Sequence, residues 1–384
     1  MCAAAPEFLR LIELHADVAM RPGHRVELAL DGAGTFPALW RDLEAAGRSI
    51  HLQLYYCQPG ALADTLARVL AGAARRGVRV RLLYDGFGCD PLGGAWFDRL
   101  REAGADVRSF RPVRWWSLHK AQERSHARIV VLDGAIGWTG GFGIDDRWSA
   151  AGVPGEPGWR ETNVRFTGPA VAQLQAAFAD GWAETAGELL VAPDLYAAVT
   201  DTAEASPGSD AAILHSVPDR GSTTAERFLA LTIAGARRTL YIANAYFVPD
   251  DDFRAMLLGA ARRGVDVRVL TPDDGTDVPV VRHAARAHYA ELLDGGVRIW
   301  EYAPAMMHAK TLVVDGVWSA IGSMNFDNRS LAVNDETTLL VADSAIGAAM
   351  ERIFLDDLRR ATELTPESFA RRGRWERVKE RFAV

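Results

Sequence analysis

The feature that most constrains this chain is that it repeats itself. His126, Arg128 and Asp133 are followed by Gly140 and Gly141; His308, Lys310 and Asp315 are followed by Gly322 and Ser323, and every interval in the first set recurs in the second. The string GAARRGVRVRLL beginning at Gly72 returns as GAARRGVDVRVL beginning at Gly259, and Glu161-Thr162 returns as Glu336-Thr337. A period this long marks a duplicated domain and not a solenoid. Such a chain folds one unit twice, and it brings two copies of the repeated polar residues into one molecule.

Short apolar, often β-branched runs at 50–56, 78–85, 107–110, 127–133, 135–139 and 162–167 read as strands in the first copy. The second copy has them, in the same order of roles, at 240–247, 265–272, 297–302, 309–315, 318–322 and 337–342. Between them, stretches such as 62–76, 253–263 and 284–293 space apolar residues as helices do, several closed by Gly. The alternation predicts a layered α/β unit made twice. A length of 384 residues suffices for two such cores. The Ala, Ser, Pro, Gly and Asp-rich stretch 199–210 has the composition of an exposed linker, which predicts domains at 1–200 and 211–384.

Composition excludes several classes. A formal net charge of -7 argues against a broad basic surface for nucleic acid, which is therefore not the expected partner. No run of about eighteen apolar residues occurs. Glu7, Arg10, Glu13 and Asp17 stand where a signal peptide needs its apolar centre, so a cytoplasmic chain is expected. Cys2, Cys57 and Cys89 form no CxxC pair and no disulfide framework. The chain contains no GxxxxGK[ST] loop, no HExxH and no Cys/His cluster with ligand spacing, so neither a metal nor a cofactor is expected. Two segments depart from the acidic balance. In the first, Arg111, Arg114, Lys120 and Arg124 surround Trp115-Trp116 and lead into His126, and this loop is expected to touch a lipid headgroup region. In the second, 369–384, Trp375, Val378 and Phe382 fall near one helical face among Arg371, Arg374, Arg377, Lys379 and Arg381. That pattern fits an interfacial helix, and equally a surface helix docked on the second domain.

Paired histidines with paired cations suit attack on a phosphodiester. One neutral imidazole can attack phosphorus while a second protonates the departing alkoxide and later deprotonates the acceptor. Lys310, Arg128, Asn325 and Ser323 supply charge and donors for the phosphate oxygens. Each imidazole needs its far nitrogen held by an acceptor, and Glu161 and Glu336, each opening the strand after its motif, are the expected orienting groups. Asp133 and Asp315 precede Gly at strand ends and read as turn residues supporting the site. His51, His119, His283 and His288 lack the repeated context and read as packing or surface residues.

At these residues the chain resembles the phospholipase D superfamily, whose mark is HxKxxxxD followed by GSxN in each of two halves. Within it the chain is similar to bacterial cardiolipin synthases, in a form without N-terminal membrane spans. The run HAKTLVVDGVWSAIGSMNFDNRSLAVNDE from His308, the string IANAYFVP from Ile242, Tyr84-Asp85-Gly86 and Trp159-Arg160-Glu161-Thr162 carry the resemblance, which spans 25–364. It implies two pseudo-symmetric α/β domains, each a mixed β-sheet flanked by helices, with the active site at their interface. It also implies metal-independent transfer of a phosphatidyl group through a phosphohistidine, making cardiolipin from phosphatidylglycerol, with His126 as nucleophile and His308 as acid/base. The expected partners are phospholipids and, peripherally, the anionic inner face of the cell membrane. Two positions depart from the family pattern: Arg128 stands in place of Lys and Gly143 in place of Asn. The rival readings are a hydrolase of the same chemistry acting on phospholipid or nucleic acid, and a catalytically silent lipid-binding homologue.

Overall fold

The computed structural model describes residues 2–112, 124–196, 208–218 and 221–383. Most of the expected linker, and Trp115-Trp116 with Arg114, Lys120 and His119, lie outside the described residues.

The first copy contributes β1 (Arg21–Leu30), β2 (Ser49–Leu54), β3 (Arg79–Asp85), β4 (Asp106–Phe110), β5 (Ile129–Leu132), β6 (Ile136–Gly140) and β7 (Thr162–Thr167). The second contributes β8 (Ser209–Ser216), β9 (Thr239–Asn244), β10 (Phe247–Val248), β11 (Asp266–Pro272), β12 (Arg298–Tyr302), β13 (Lys310–Val314), β14 (Trp318–Gly322), β15 (Phe326–Asp327), β16 (Glu336–Ala342) and β17 (Ala361–Leu364). Reading outward from the centre, the first copy runs β1-β7-β6-β5-β2-β3-β4 and the second β8-β16-β14-β13-β9-β11-β12, with β17 added at the far edge. The same order on both sides is the duplication seen in space. β1 and β8 pair antiparallel, so the two halves form one 15-stranded sheet.

These two central strands, like the two-residue β15 and the edge strand β17, fall outside the runs that the sequence pattern reveals. β1 opens on Arg-Pro-Gly, which reads as a turn, and Ser209 and Asp210 of β8 fall inside the stretch expected to be linker. That expectation is corrected at its end: Ser209 and Asp210 pair in the sheet, opposite His24 and Ala342 respectively.

Interior strands β2 and β5 are buried along their whole length, as expected for strands covered on both faces. The repeated GAARRG closes the helices Ala61–Arg75 and Asp251–Arg262, and the following Gly77 and Gly264 sit at φ +89° and +86°. Only Gly takes that left-handed position without cost, which turns the chain into β3 and β11. One outer core lies mainly in the first half. The other joins the second half to Phe8, Ile12 and Ala16 of the N-terminal helix Pro6–Ala16, which the expected domain 1–200 assigns to the first half. A third core is shared. In it the helix Ala170–Ala186 and strand residues such as Val131 and Phe166 meet Ile213, Val313, Leu339 and Phe354.

Candidate active site

The site is built by backbone bridges between the halves. Ser125, just before His126, bridges Asp335, just before Glu336; Met307, just before His308, bridges Arg160, just before Glu161. The amide of Asp335 donates to the Arg124 carbonyl at 3.0 Å, and that of His308 to the Arg160 carbonyl at 2.8 Å. Each histidine is thereby set beside the glutamate of the opposite half. His126 Nδ1 lies 2.9 and 3.0 Å from the Glu336 carboxylate oxygens, and His308 Nδ1 lies 2.7 Å from Glu161 Oε2. A ring nitrogen facing a carboxylate carries the proton, which leaves each imidazole its lone pair at Nε2; that of His308 faces Lys310 Nζ at 2.9 Å.

The glutamates are themselves fixed, by different means. Ser323 Oγ donates to Glu336 and accepts from the Thr337 amide. Ser323 was expected to contact substrate; fully buried behind Glu336, it is placed as a positioning group. In the first half Gly141 takes the place of that serine, and a Cβ there would meet the Glu161 carboxylate at 2.5 Å. Glu161 is held instead by the Thr162 amide at 3.0 Å and by Trp148 Nε1 at 3.4 Å. The same indole occupies the space beside Gly143, where an added Cβ would lie 3.0 Å from its ring. The Gly143 departure is therefore compensated in volume by Trp148, whose counterpart in the second half is Ser330.

The two cations match across the duplication despite their chemistry. Lys310 Nζ donates to the His308 carbonyl at 2.6 Å, and Arg128 Nη1 to the His126 carbonyl at 2.5 Å. Lys310 Nζ also lies 2.9 Å from each ring nitrogen of His308. Burial, reinforced by Arg128, pushes the His126 imidazole down to about 4, and burial with Lys310 holds His308 well below its usual value. Burial brings the Lys310 ammonium down to about 7 despite Glu161. Burial alone would raise Glu336, but His126, Ser323 and Arg128 outweigh it and hold the carboxyl below its usual range; for Glu161 burial wins and the carboxyl is raised. Both imidazoles are thus neutral in the empty site, the state a nucleophile needs. An arriving phosphodiester anion favours their protonated forms.

Asp133 and Asp315, grouped with the catalytic residues by the motif, are placed elsewhere. Each sits at φ +54°, a left-handed position that Asp tolerates. The Asp133 carboxylate accepts from the amides of Gly47, Arg48 and Ser49, and that of Asp315 from Arg237, Arg238 and Thr239. They tie β5 to the start of β2 and β13 to the start of β9, at the opposite ends of the strands from the histidines. His51 accords with the packing reading, stacked on Phe178 and 2.7 Å from Gln175.

His126, His308, Arg128 and Asn325 line one open cavity of about 630 Å³. Its walls include residues that motif reading missed. Tyr55 packs edge-on against His126, Trp148 and Trp159 pack against His308, and Tyr246 donates to Asp277 at 2.8 and 2.9 Å. Arg147 and Arg329 also line it. The signal for those arginines was present: they fall at the same distance after the aligned glycines of the two copies.

A family described as "Cardiolipin synthase, PLD-like domain" matches residues 39–182 and 229–358. The chain belongs to this family. It is 34% identical over 373 residues to a cardiolipin synthase of Geobacillus kaustophilus, covering 96% of this chain and 73% of that one. It is 35% identical over 347 residues to cardiolipin synthase A of Pseudomonas entomophila, covering 90% and 70%. In three dimensions it resembles phosphatidylserine synthase of Haemophilus influenzae, with a TM-score of 0.72 and 12% identity over 98% of this chain and 96% of that one. Members of the family are enzymes of the phospholipase D superfamily, and the duplicated α/β fold with a shared site is the one their motifs imply. No helix among the described residues is long and apolar enough to cross a membrane.

Proposed function

We propose that this phosphatidyltransferase makes cardiolipin from two molecules of phosphatidylglycerol by way of a phosphohistidine. The observation that carries the reading is the pair of cross-half His–Glu dyads opening on one cavity with Arg128 and Lys310 beside them. His126 Nε2 attacks phosphorus as the neutral imidazole, the bond to the departing glycerol oxygen breaks, and His308, which has taken up a proton at Nε2 as the anionic substrate binds, gives that oxygen this proton. The terminal hydroxyl of a second phosphatidylglycerol then loses its proton to His308 and attacks phosphorus, releasing His126. Arg128 and Lys310 meet the charge that shifts onto the phosphate oxygens. The aromatic walls around both imidazoles limit the water that could compete for the intermediate.

Mass spectrometry of lipids after incubating the pure protein with phosphatidylglycerol vesicles tests this. Cardiolipin with stoichiometric glycerol is expected, and added glycerol drives the reaction back. Phosphatidic acid as the sole product would make the protein a hydrolase, and vesicle binding without turnover a silent homologue. Turnover is expected to survive exhaustive chelation, because the cations placed to meet the phosphate belong to the chain itself. Loss with a chelator, restored by one added metal, would overturn that expectation.

The C-terminal helix Arg374–Phe382 supports a membrane-facing role. It packs on the helix Pro279–Ala287 through its polar side: buried Glu380 pairs with Arg286 at 3.3 Å and Arg372 at 2.8 Å. Docked in this way, it leaves Trp375 78% and Phe382 87% exposed. Val278 and Val281, at the start of the supporting helix, line the cavity, so the helix on which the C-terminal one docks reaches the reaction site. Insertion of two large rings into a bilayer is worth roughly 1.5–3 kcal/mol each. Replacing Trp375 and Phe382 together by Ser should weaken sedimentation with phosphatidylglycerol vesicles tenfold or more while activity on a short-chain soluble substrate stays within about twofold. Unchanged sedimentation would place the membrane-facing surface elsewhere.

A further inference from the structure

The duplication carries a second repeated pair that the chemistry above leaves unused. Asp145 and Arg147 occupy the positions that Asp327 and Arg329 hold in the second copy. Each Asp caps the short helical turn bearing its Arg, and both arginines line the cavity. Arg147 is preset. Its Nη2 donates to Asp145 Oδ2 at 2.8 Å and to the Tyr56 hydroxyl at 2.7 Å, its Nε lies 3.1 Å from Asp145 Oδ1, and its guanidinium lies over Trp159, 4.7 Å from the ring centre. Trp159 and Trp148 are the rings packed on His308, so Arg147 stands on the His308 side of the cavity.

Tyr246, the counterpart of Tyr56, donates instead to Asp277. The matching tyrosines thus support a cation in the first copy and a carboxylate in the second, and Tyr246 too packs edge-on to His308 at 6.4 Å. In an in-line displacement at His126, both the departing and the entering alcohol occupy the His308 side, since His308 protonates one and deprotonates the other. The departing glycerol is neutral. An entering phosphatidylglycerol is not: only the glycerol carbons separate its attacking hydroxyl from its own phosphate. Asp277 repels that phosphate and Arg147 attracts it.

We infer that Arg147, held by Asp145 and Tyr56, binds the phosphate of the acceptor and so selects a phosphate-bearing alcohol over neutral alcohols. This rests on the transfer reading proposed above. A guanidinium fork already fixed in place loses little freedom on gripping a phosphate and can do so through two nitrogens. In the step it serves, the acceptor oxygen loses its proton to His308, the oxygen–phosphorus bond forms and the bond from phosphorus to His126 breaks.

The test uses the full chain with phosphatidylglycerol vesicles as donor and offers glycerol phosphate and deuterated glycerol together as acceptors, with the two products resolved by mass. The parent should favour glycerol phosphate. In Arg147→Gln the ratio of phosphate-bearing to neutral product should fall tenfold or more, through a higher KM for glycerol phosphate, and Arg147→Lys should recover part of it. If the Gln variant fails to fold, Asp145→Asn and Arg147→Lys are read by the same ratio, each expected to lower it at least threefold. A ratio within twofold of the parent in variants that still transfer overturns the assignment and leaves the transfer reading intact. Hydrolysis alone by the parent, with neither product formed, overturns both.

Discussion

His308→Ala and His126→Ala each leave a folded protein whose phosphatidyl transfer falls by about 10⁴-fold or more, the largest effects expected in this chain. Positioned acid–base catalysis alone contributes roughly 10²–10⁴-fold, and loss of the nucleophile removes the covalent route altogether. A donor whose leaving group needs no proton, such as a nitrophenyl phosphodiester, separates the two roles. With His308→Ala it should give a stoichiometric burst of nitrophenolate and then stall, and acid quenching should trap the phosphorus on the peptide containing His126. With His126→Ala no burst is expected. The reverse pattern would exchange the roles, and normal turnover by either folded variant would end the paired-histidine mechanism. Circular dichroism and thermal melting establish that the variants are folded.

Glu336→Gln is expected to lower turnover by about 10²-fold or more, equivalent to about 2.7 kcal/mol of transition-state stabilisation. The physical cause lies in the opposite half of the chain. Glu336 accepts from His126 Nδ1, and its charge stabilises the imidazole as positive charge develops there in forming the phosphohistidine. The amide is nearly isosteric, so packing against Ser323 is kept while that charge is lost. The defect should therefore appear in formation of the covalent intermediate, slowing the nitrophenolate burst. Glu161→Gln, acting on His308, should leave the burst with this activated donor near its parent rate and slow transfer to an alcohol acceptor. A Glu336 variant with a normal burst would show that His126 does not depend on its cross-half partner.

Much of this organisation is legible in the amino-acid order. The repeated intervals identify both histidines and both basic partners, the recurring Glu-Thr that opens a strand after each motif identifies both glutamates, and apolar runs with the GAARRG helix ends outline the strands near each motif. The motif also draws Asp133 and Asp315 into the site, where the structure does not put them. Sequence spacing records that they accompany the histidines but not that the strand between carries them to opposite ends. A run of seven residues in extended conformation spans about 20 Å. Ser323 is similar: spacing marks it, yet only its hydrogen bond to Glu336 shows that it steadies a carboxylate.

The sequence by itself determined that one α/β unit is made twice, that the chain belongs with phosphodiester-transferring enzymes, and which polar residues the two copies share, because these depend on local periodicity and on residue types that recur in both copies. Only the tertiary structure decided that β1 and β8 join the halves into one sheet and that each histidine is oriented by the glutamate of the other copy. Tertiary structure also decided that Trp148 fills the space beside Gly143 and that Arg147 comes to stand on the His308 side. The physical reason is that these relations run between residues far apart in the chain. Backbone pairing across the two halves and the packing of side chains against one another set them, and no interval counted along a single strand or helix contains that information.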